Sequence, residues 1–339
     1  MYYNFIATEL SEAEKLNFVA CPITIVAPSG GSVGYPNPYG GQSVSSYCKT
    51  SPPNVTILSP GLSNPYQHQF TVGYSRELGK ELSISVDGLY NRGLRDYKVY
   101  DLNYPANYPT SSIRPDTAIG QNLQHASTGA SEYKALYLKI DKRFANRYMF
   151  TASYALTSAL DNNPHSAPVS YSTPQNDWGP AAYDQRHAIV LSGSVVLPFK
   201  IVVGGIFTYR SSEPFSVTTT TLNANGTAQY VPGTKRDQGN RGISYAAINA
   251  YRAAYSSSLS TNLGPGSVAS TQYNDFDLRA SKVVFQHDAM KLEIIGQAFN
   301  LFGTENYTGI TTASTSAAFG KPTAAGTVQI GELAAKFTF

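Results

Sequence analysis

The sequence contains few charged residues. Aspartate, glutamate, lysine and arginine make up 14% of its 339 residues, whereas soluble domains average about 25%. The lysines and arginines are scattered and the formal net charge is only +3, so no basic patch indicates a nucleic-acid partner. We therefore exclude nucleic-acid binding as the function of this chain.

Long apolar runs are also missing. The sequence has no run of about 18 apolar residues, which excludes a transmembrane helix. Membrane-spanning strands remain allowed, because each lipid-facing residue alternates with a polar neighbour and the average hydropathy hides the apolar face. The first residues lack the basic and apolar regions of a signal peptide, so we expect an exported protein of this kind to begin upstream.

Cysteine is scarce. Cys21 and Cys48 are the only two cysteines, and both lie in segments rich in proline, glycine and serine that predict loops. We predict that they form a disulfide in the oxidising periplasm, with two unpaired thiols as the alternative.

What the sequence has is a repeated alternation of apolar and polar residues. Between residues 66 and 78 the apolar side chains fall mostly at even positions and the polar ones mostly at odd positions, which is the period of a β-strand. The alternation returns along the chain in strands of about 9 to 13 residues, the length that a tilted strand needs to cross a membrane. We predict nine strands, over residues 66–78, 82–87, 132–144, 148–156, 189–197, 201–209, 276–284, 292–298 and 332–339, and a tenth in residues 1–7.

Short turns alternate strictly with long connections. The predicted turns are residues 79–81, 145–147, 198–199 and 287–289, and each joins two strands into a pair. The connections between these strand pairs are long and rich in Gly, Pro, Ser, Thr, Asn and Tyr. Within the longest connection we predict a short helix or ordered excursion at residues 246–259. Outer-membrane barrels show this asymmetry, with tight periplasmic turns and long extracellular loops, whereas soluble sandwiches scatter their loop lengths. We predict an all-β fold, an antiparallel transmembrane β-barrel in one domain over residues 1–339. For the loop tyrosines we expect packing within the loops, with ligand stacking as the alternative.

An ordered series of short motifs runs from about residue 64 to the end of the chain. The motifs are Asn64-Pro65-Tyr66, Tyr133-Lys134-Ala135-Leu136, Lys142-Arg143-Phe144, Tyr183-Asp184-Gln185-Arg186-His187, Phe207-Thr208-Tyr209-Arg210-Ser211, Ala298-Phe299-Asn300-Leu301-Phe302 and Lys336-Phe337-Thr338-Phe339. Together they resemble the TonB-dependent outer-membrane receptors, specifically the Oar-like group with a carboxypeptidase-regulatory-like N-terminal domain.

This resemblance implies a barrel of about 22 strands whose lumen is closed by a plug, with uptake driven through TonB. The 339 residues show no plug, no TonB-contact segment and no room for half of those strands, so we expect about ten strands here, the C-terminal half of a larger barrel. The implied partners are outer-membrane lipid and lipopolysaccharide, the barrel-assembly machinery, the TonB complex through the missing plug, and a transported ligand that the sequence does not identify. Phe337 and Phe339 match the C-terminal signal that the assembly machinery recognises.

Polar side chains occupy the opposite face of several predicted strands. Asp275 and Asp277 could share a proton in an enzyme, but consecutive lumen-facing positions, neutralised by Arg279, are the preferred interpretation. We predict that the following residues line a wet lumen: Lys139, Asp141, Arg143, Asp275, Asp277, Arg279, Glu293 and Gln297. We expect Lys134 and Lys291 on the same wall.

Signatures of catalysis, cofactor binding and metal binding are missing from the sequence. Five histidines occur singly, without the spacing of a metal site, and there is no Gly-x-Ser-x-Gly, phosphate loop or dinucleotide fingerprint. We therefore predict no catalytic residues, no metal and no cofactor. The leading hypothesis is energy-coupled uptake of a scarce or bulky nutrient across the outer membrane of a Gram-negative bacterium. The alternatives are a passive porin-like barrel and a secreted adhesin or binding domain.

Overall fold

The computed structural model describes residues 52–171, 174–326 and 328–339. The strand predicted in residues 1–7 and the disulfide predicted between Cys21 and Cys48 lie outside the described residues. Within the described ranges, no helix has the length and apolar character needed to span a membrane.

Antiparallel β-structure dominates the fold. In chain order the strands are β1 (Val55–Leu58), β2 (Tyr66–Leu78), β3 (Leu82–Asp101), β4 (Asn122–Ala145), β5 (Tyr148–Asp161), β6 (Gly179–Pro180), β7 (His187–Leu197), β8 (Ile201–Arg210), β9 (Thr218–Leu222), β10 (Ala228–Tyr230), β11 (Tyr273–His287), β12 (Met290–Phe299), β13 (Tyr307–Ile310), β14 (Pro322–Ala325) and β15 (Ile330–Thr338), and the α-helix is α1 (Tyr245–Tyr255). The helix begins one residue before the segment predicted as a helix or ordered excursion and ends within it.

Nine long strands form one continuous meander. Their order in the sheet is β2-β3-β4-β5-β7-β8-β11-β12-β15, each hydrogen-bonded to the next and antiparallel to it. These are the nine strands that the alternation predicts, so the all-β antiparallel fold is confirmed. β1 and β6 add short pairings to β4 and β5 outside this path.

The strand register separates two faces of the sheet, because residues directly opposite each other on paired strands point to the same side. One continuous row across six strands consists of Ile84, Ile140, Ala152, Leu191, Phe207 and Phe276, and we call its side the apolar face. A neighbouring row on the other side consists of Ser83, Asp141, Thr151, Ser192, Ile206 and Asp277, and we call that side the polar face.

Lys134 lies on the apolar face, and the expectation that it shares a wall with Lys139 is wrong. The two are five residues apart on one strand, and the period of two sends odd and even positions to opposite sides. On the apolar face, Lys134 forms an ion pair with Glu132 at 2.8 Å, and Arg92 lies 3.8 Å from the same carboxylate. Arg92 and Glu132 are directly opposite each other in the register, so the charged group spans both strands.

Tight turns join the strands at the other end of the sheet. The turn between β4 and β5 consists of Asn146 and Arg147, with φ angles of 53° and 73°, since Ala145 already pairs with Tyr148. Two consecutive positive φ values are typical of a type I′ turn, whose twist matches that of the flanking strands. The turn between β11 and β12 is also one residue shorter than predicted, because His287 pairs with Met290.

The strands β3 and β4 continue far past the level of Lys134. They are 20 and 24 residues long. About half of the connection predicted as a loop between residues 87 and 132 is therefore an extended hairpin. Around it the remaining long connections fold into a loop domain, which contains the β9–β10 and β13–β14 pairs and α1. Its core consists of Val217, Val231, Ile248 and Phe319.

The sheet does not close on itself within the described residues. β2 and β15 each pair on one side only, and every residue of both strands is exposed. These two strands therefore present free backbone N–H and C=O groups along the two edges of the meander.

Candidate functional site

The polar face carries one group of predicted lumen residues on β4. Lys139 Nζ lies 2.7 Å from Asp141 Oδ2, and the Thr151 hydroxyl donates a hydrogen bond of 2.8 Å to Asp141 Oδ1. Arg143 lies two residues further along the same face, 3.7 Å from the carboxylate of Glu77 on β2. In each case a carboxylate lies beside the cation, so this part of the wall is polar with little net charge.

A second group lies on β11, β12 and β15. Arg279 is directly opposite Gln297 in the register, and the Gln297 amide donates a hydrogen bond of 2.5 Å to Glu332. Asp277 Oδ1 accepts a hydrogen bond of 3.0 Å from the Asn300 backbone N–H. Glu293 is paired in register with Lys336.

The structure places the two groups of predicted residues on the same face, but it does not bring them into contact. Strands β5, β7 and β8 lie between them. Thr151, Ser192, Ser194 and Gly204 on these strands line a depression of about 430 Å³, to which Ile206 and Arg279 also contribute. The small side chains of the first four residues hollow the wall between the two groups.

Buried ion pairs hold the loop domain to the extended hairpin. Lys98 on β3 contacts Asp177 at 2.8 Å, with both side chains almost fully buried. The Tyr230 hydroxyl donates a 3.2 Å hydrogen bond to the same carboxylate, and burial together with this negative charge raises the pKa of Tyr230 well above its usual range. A buried charge is stable only when it is paired and hydrogen-bonded, and Asp177 meets that condition.

Arg236 joins three segments of the loop domain. Its guanidinium is buried and forms an ion pair with Asp161 and another, at 3.1 Å, with Asp237. It also donates hydrogen bonds to the carbonyl oxygens of Asp177 and Gly179. Burial raises the pKa of Asp237, although Ser216 and Arg236 act in the opposite direction. The same principle recurs at Arg241 with Asp184 and at Arg114 with Asp101.

Loop tyrosines pack against one another and against the backbone. Tyr171 stacks on Tyr104 with ring centroids 3.9 Å apart, and its hydroxyl accepts a 2.8 Å hydrogen bond from the Asp101 N–H. Burial raises the pKa of Tyr171 to about 12. Packing, as expected from the sequence, is therefore the role of this residue.

The residues that organise the loop domain are not predictable from the sequence. Lys98 and Asp177 are 79 positions apart, and Arg236 and Asp161 are 75 apart. No local period or motif connects such partners. Only burial of these charged side chains in the folded loop domain shows that they need partners.

Comparison with solved structures finds outer-membrane receptors. The outer membrane transporter YddB from Escherichia coli aligns at a TM-score of 0.48 with 12% identity, over 86% of this chain and 34% of that one. The ferric-catecholate import receptor Fiu from E. coli aligns at 0.46 with 13% identity, over 81% and 28%. The ferripyoverdine receptor of Pseudomonas aeruginosa aligns at 0.45 with 14% identity, over 81% and 27%. The chain thus spans about a third or less of the length of these proteins.

No curated protein matches this chain. Residues 3–330, however, match the model of the family described as outer membrane beta barrel domain. That match covers nearly the whole chain, and it agrees with the two-faced antiparallel meander. The chain therefore belongs to the outer membrane β-barrel domain family, and its location is the outer membrane of a Gram-negative bacterium.

Proposed function

We propose that this chain is the C-terminal barrel part of a TonB-dependent receptor of the Oar-like group, which takes up a scarce or bulky nutrient by energy-coupled transport. The single barrel domain over residues 1–339 is then one part of a longer barrel. A plug that fills the lumen and contacts the TonB complex belongs to the rest of the protein.

The open meander is the observation that carries this proposal. Within hydrocarbon an unpaired backbone N–H or C=O costs several kcal/mol, and β2 and β15 each leave one edge without a partner in the described residues. In this proposal, additional strands of the longer barrel pair with both edges. A barrel of about 22 strands has a lumen wide enough to need a plug, and the nine strands of the meander are fewer than half of it.

The polar face forms the lumen wall in this proposal. Lys139, Asp141, Arg143, Asp275, Asp277, Arg279, Glu293 and Gln297 face the lumen and the plug. Their ion pairs and hydrogen bonds give a wet and nearly neutral surface. Such a wall suits the passage of a polar permeant or contact with a plug, and we infer transport and not catalysis.

The apolar face contacts outer-membrane lipid in the same proposal. Lys134 and Arg92 lie at the loop end of this face, where a cation can meet the phosphates of lipopolysaccharide. Phe337 and Phe339, at the end of the last strand, are the segment that the barrel-assembly machinery reads.

The complete gene product tests this proposal in two ways. Expressed in its host, it should fractionate with outer-membrane lipopolysaccharide, and after detergent extraction it should bind the purified C-terminal domain of TonB. Recovery as a soluble periplasmic protein would overturn the membrane assignment, and failure to bind TonB would overturn energy coupling. Discrete conductance steps from the refolded 339-residue polypeptide in planar bilayers would instead establish a passive porin.

A further inference from the structure

A pocket opens at the loop end of the polar face. Its volume is about 390 Å³, which is within the range of about 300 to 1,000 Å³ found for small-ligand sites. Arg210 at the end of β8 and Tyr273 at the start of β11 lie on its wall, directly opposite each other in the register. Gln185, Glu213 and Tyr307 contribute from three other segments. We call this cavity the mouth pocket.

Arg210 and Tyr273 present fixed planar groups to the pocket. The guanidinium carbon lies 4.6 Å from the centroid of the Tyr273 ring, and the Tyr273 hydroxyl donates a 3.1 Å hydrogen bond to Asp275. Among the described residues the guanidinium has no ion pair and no hydrogen bond. A guanidinium carries five N–H donors in a rigid fork, so the pocket wall offers an oriented set of donors.

Gln185 and Glu213 supply acceptors on another wall of the pocket. The Gln185 amide donates a 3.0 Å hydrogen bond to Glu213 Oε1, which orients both side chains. This contact leaves Glu213 Oε2 and the Gln185 carbonyl oxygen for a ligand. An arrangement with fixed donors and fixed acceptors matches hydroxyl groups, because each hydroxyl donates one hydrogen bond and accepts others.

Apolar rings complete the lining. Phe215 reaches the pocket and also packs against the Val217, Val231, Ile248 and Phe319 core of the loop domain. Its ring is held closely on the other side by Gly239, where an added Cβ would lie 2.2 Å from the ring. The pocket therefore combines apolar ring surface with polar groups, which suits a ligand that has C–H surfaces between its hydroxyls.

The backbone around the pocket is preorganised. The Asn306 side chain donates a 3.1 Å hydrogen bond to the Asn274 carbonyl and accepts one of 2.7 Å from the Asn274 N–H. These two contacts fix the start of β13 against β11. A preformed site loses less conformational entropy when it binds a ligand.

The charged side chains of the pocket lining balance. Arg210 and Glu213 carry one charge each, and the two lining tyrosines, Tyr273 and Tyr307, donate hydrogen bonds to the neighbouring carboxylates of Asp275 and Glu305. An anionic metal chelate would therefore meet no excess of positive charge here, whereas clefts that capture charged ligands are lined by charge of the opposite sign.

From these contacts we propose that the mouth pocket binds a sugar ring of a neutral carbohydrate. The inference rests on the proposed uptake function and names the substrate class of its outer site. The ring's C–H surface packs on Phe215 and Tyr307, while adjacent hydroxyls accept hydrogen bonds from Arg210 and donate them to Glu213. A site built to hydrogen-bond hydroxyls discriminates strongly against ligands that lack them.

Binding to the complete gene product in detergent tests this assignment. The probes are an array of neutral oligosaccharides, namely α- and β-glucans, xylans and chitin oligomers, followed by calorimetric titration of the best binder. Ferric siderophores and short peptides serve as the competing classes. We expect a neutral oligosaccharide to bind, and R210Q and E213Q each to weaken it at least ten-fold.

The matched control variants are R95Q and E81Q. Arg95 lies over the Tyr66 ring as Arg210 lies over the ring of Tyr273, Glu81 lies in the turn between β2 and β3, and neither residue lines the mouth pocket. We expect both to bind within two-fold of the parent. No binding by any neutral oligosaccharide, or binding unaffected by R210Q and E213Q, overturns the inference. Tight binding of a ferric siderophore or a peptide that is lost in R210Q also overturns it. None of these results bears on TonB binding, so the proposed uptake function is tested separately by the TonB-binding experiment.

Discussion

Lys98 Nζ and Asp177 Oδ2 lie 2.8 Å apart, and both side chains are almost fully buried. Lys98 belongs to the extended hairpin and Asp177 to the connection between β5 and β7, so this ion pair fastens two segments that are remote in sequence. Lys98 also donates a hydrogen bond to the Asn162 carbonyl. The loop domain depends on this contact more than on any exposed ion pair of the sheet.

Replacing Lys98 with methionine should destabilise the loop domain by about 3–5 kcal/mol, because Asp177 is left buried without a cation. Limited proteolysis in detergent should show early cleavage in the connection that contains Asp177. The control is K139M, whose ion pair is exposed and contributes about 0–1 kcal/mol. Equal protease resistance of K98M and K139M would contradict this prediction.

Val190 and Leu191 are neighbours on β7 with similar exposures of 41% and 44%, but they lie on opposite faces. Leu191→Arg should destabilise the barrel by about 2–4 kcal/mol, since a lipid-facing arginine near the bilayer midplane must leave water. Val190→Arg lies on the polar face and should cost much less. Urea unfolding in lipid vesicles measures both changes, and a larger loss for V190R would reverse the assignment of the two faces.

Arg147 adopts a φ of 73° in the turn between β4 and β5. Arg147→Gly should stabilise the protein by about 1 kcal/mol, because glycine adopts positive φ without the steric cost that a side chain brings. Arg147→Val should destabilise it. The urea unfolding midpoints of the detergent-solubilised variants and parent measure these changes. The control is K80G, in the turn between β2 and β3. An R147G midpoint at or below that of the parent would count against the type I′ turn.

Phe339 is 91% exposed, with its ring centroid 6.1 Å from that of Phe337. Because its side chain buries little surface, F339S should leave the urea stability of the assembled protein almost unchanged. Its assembly into the membrane should nevertheless fall, if the terminal aromatic is recognised by the assembly machinery. The measurement is the amount of folded protein in isolated membranes, seen as the gel band whose mobility changes on heating. The control is F199N, since Phe199 is similarly exposed at 83% and lies at the same end of the barrel. Normal assembly of F339S would remove this role from the residue.

Burial raises the pKa of Tyr171 to about 12 from an ordinary value of 10.0. A phenol whose pKa is higher in the folded than in the unfolded state contributes stability that is complete below pH 10 and is lost as the pH rises towards 12. Protease resistance of the loop domain should therefore decline across this interval. A titration followed by tyrosinate absorbance should show that Y171F has lost one tyrosine that ionises near pH 12. Superimposable titration curves for Y171F and the parent would refute the raised pKa of Tyr171.

The two faces of the strands could be predicted from local pattern alone. The alternation from Tyr66 to Leu78 locates β2 at its observed bounds, because strand geometry sends successive side chains to opposite sides regardless of context. The same rule puts Lys134 on the face of Leu136, because the two residues are two positions apart on one strand. By contrast, the continuation of β3 and β4 could not be seen, since polar residues on both faces above the membrane leave no alternation to detect.

The amino-acid sequence by itself determined the nine membrane strands, their two faces and their tight turns, because each depends on neighbours a few residues apart. Only the tertiary structure decided how the loops fold and which side chains line the mouth pocket. Lys98 meets Asp177 where the connection between β5 and β7 packs against the extended hairpin, and Arg210 meets Tyr273 because β8 pairs with β11. Such contacts follow from chain topology and burial, and no local period in the sequence encodes them.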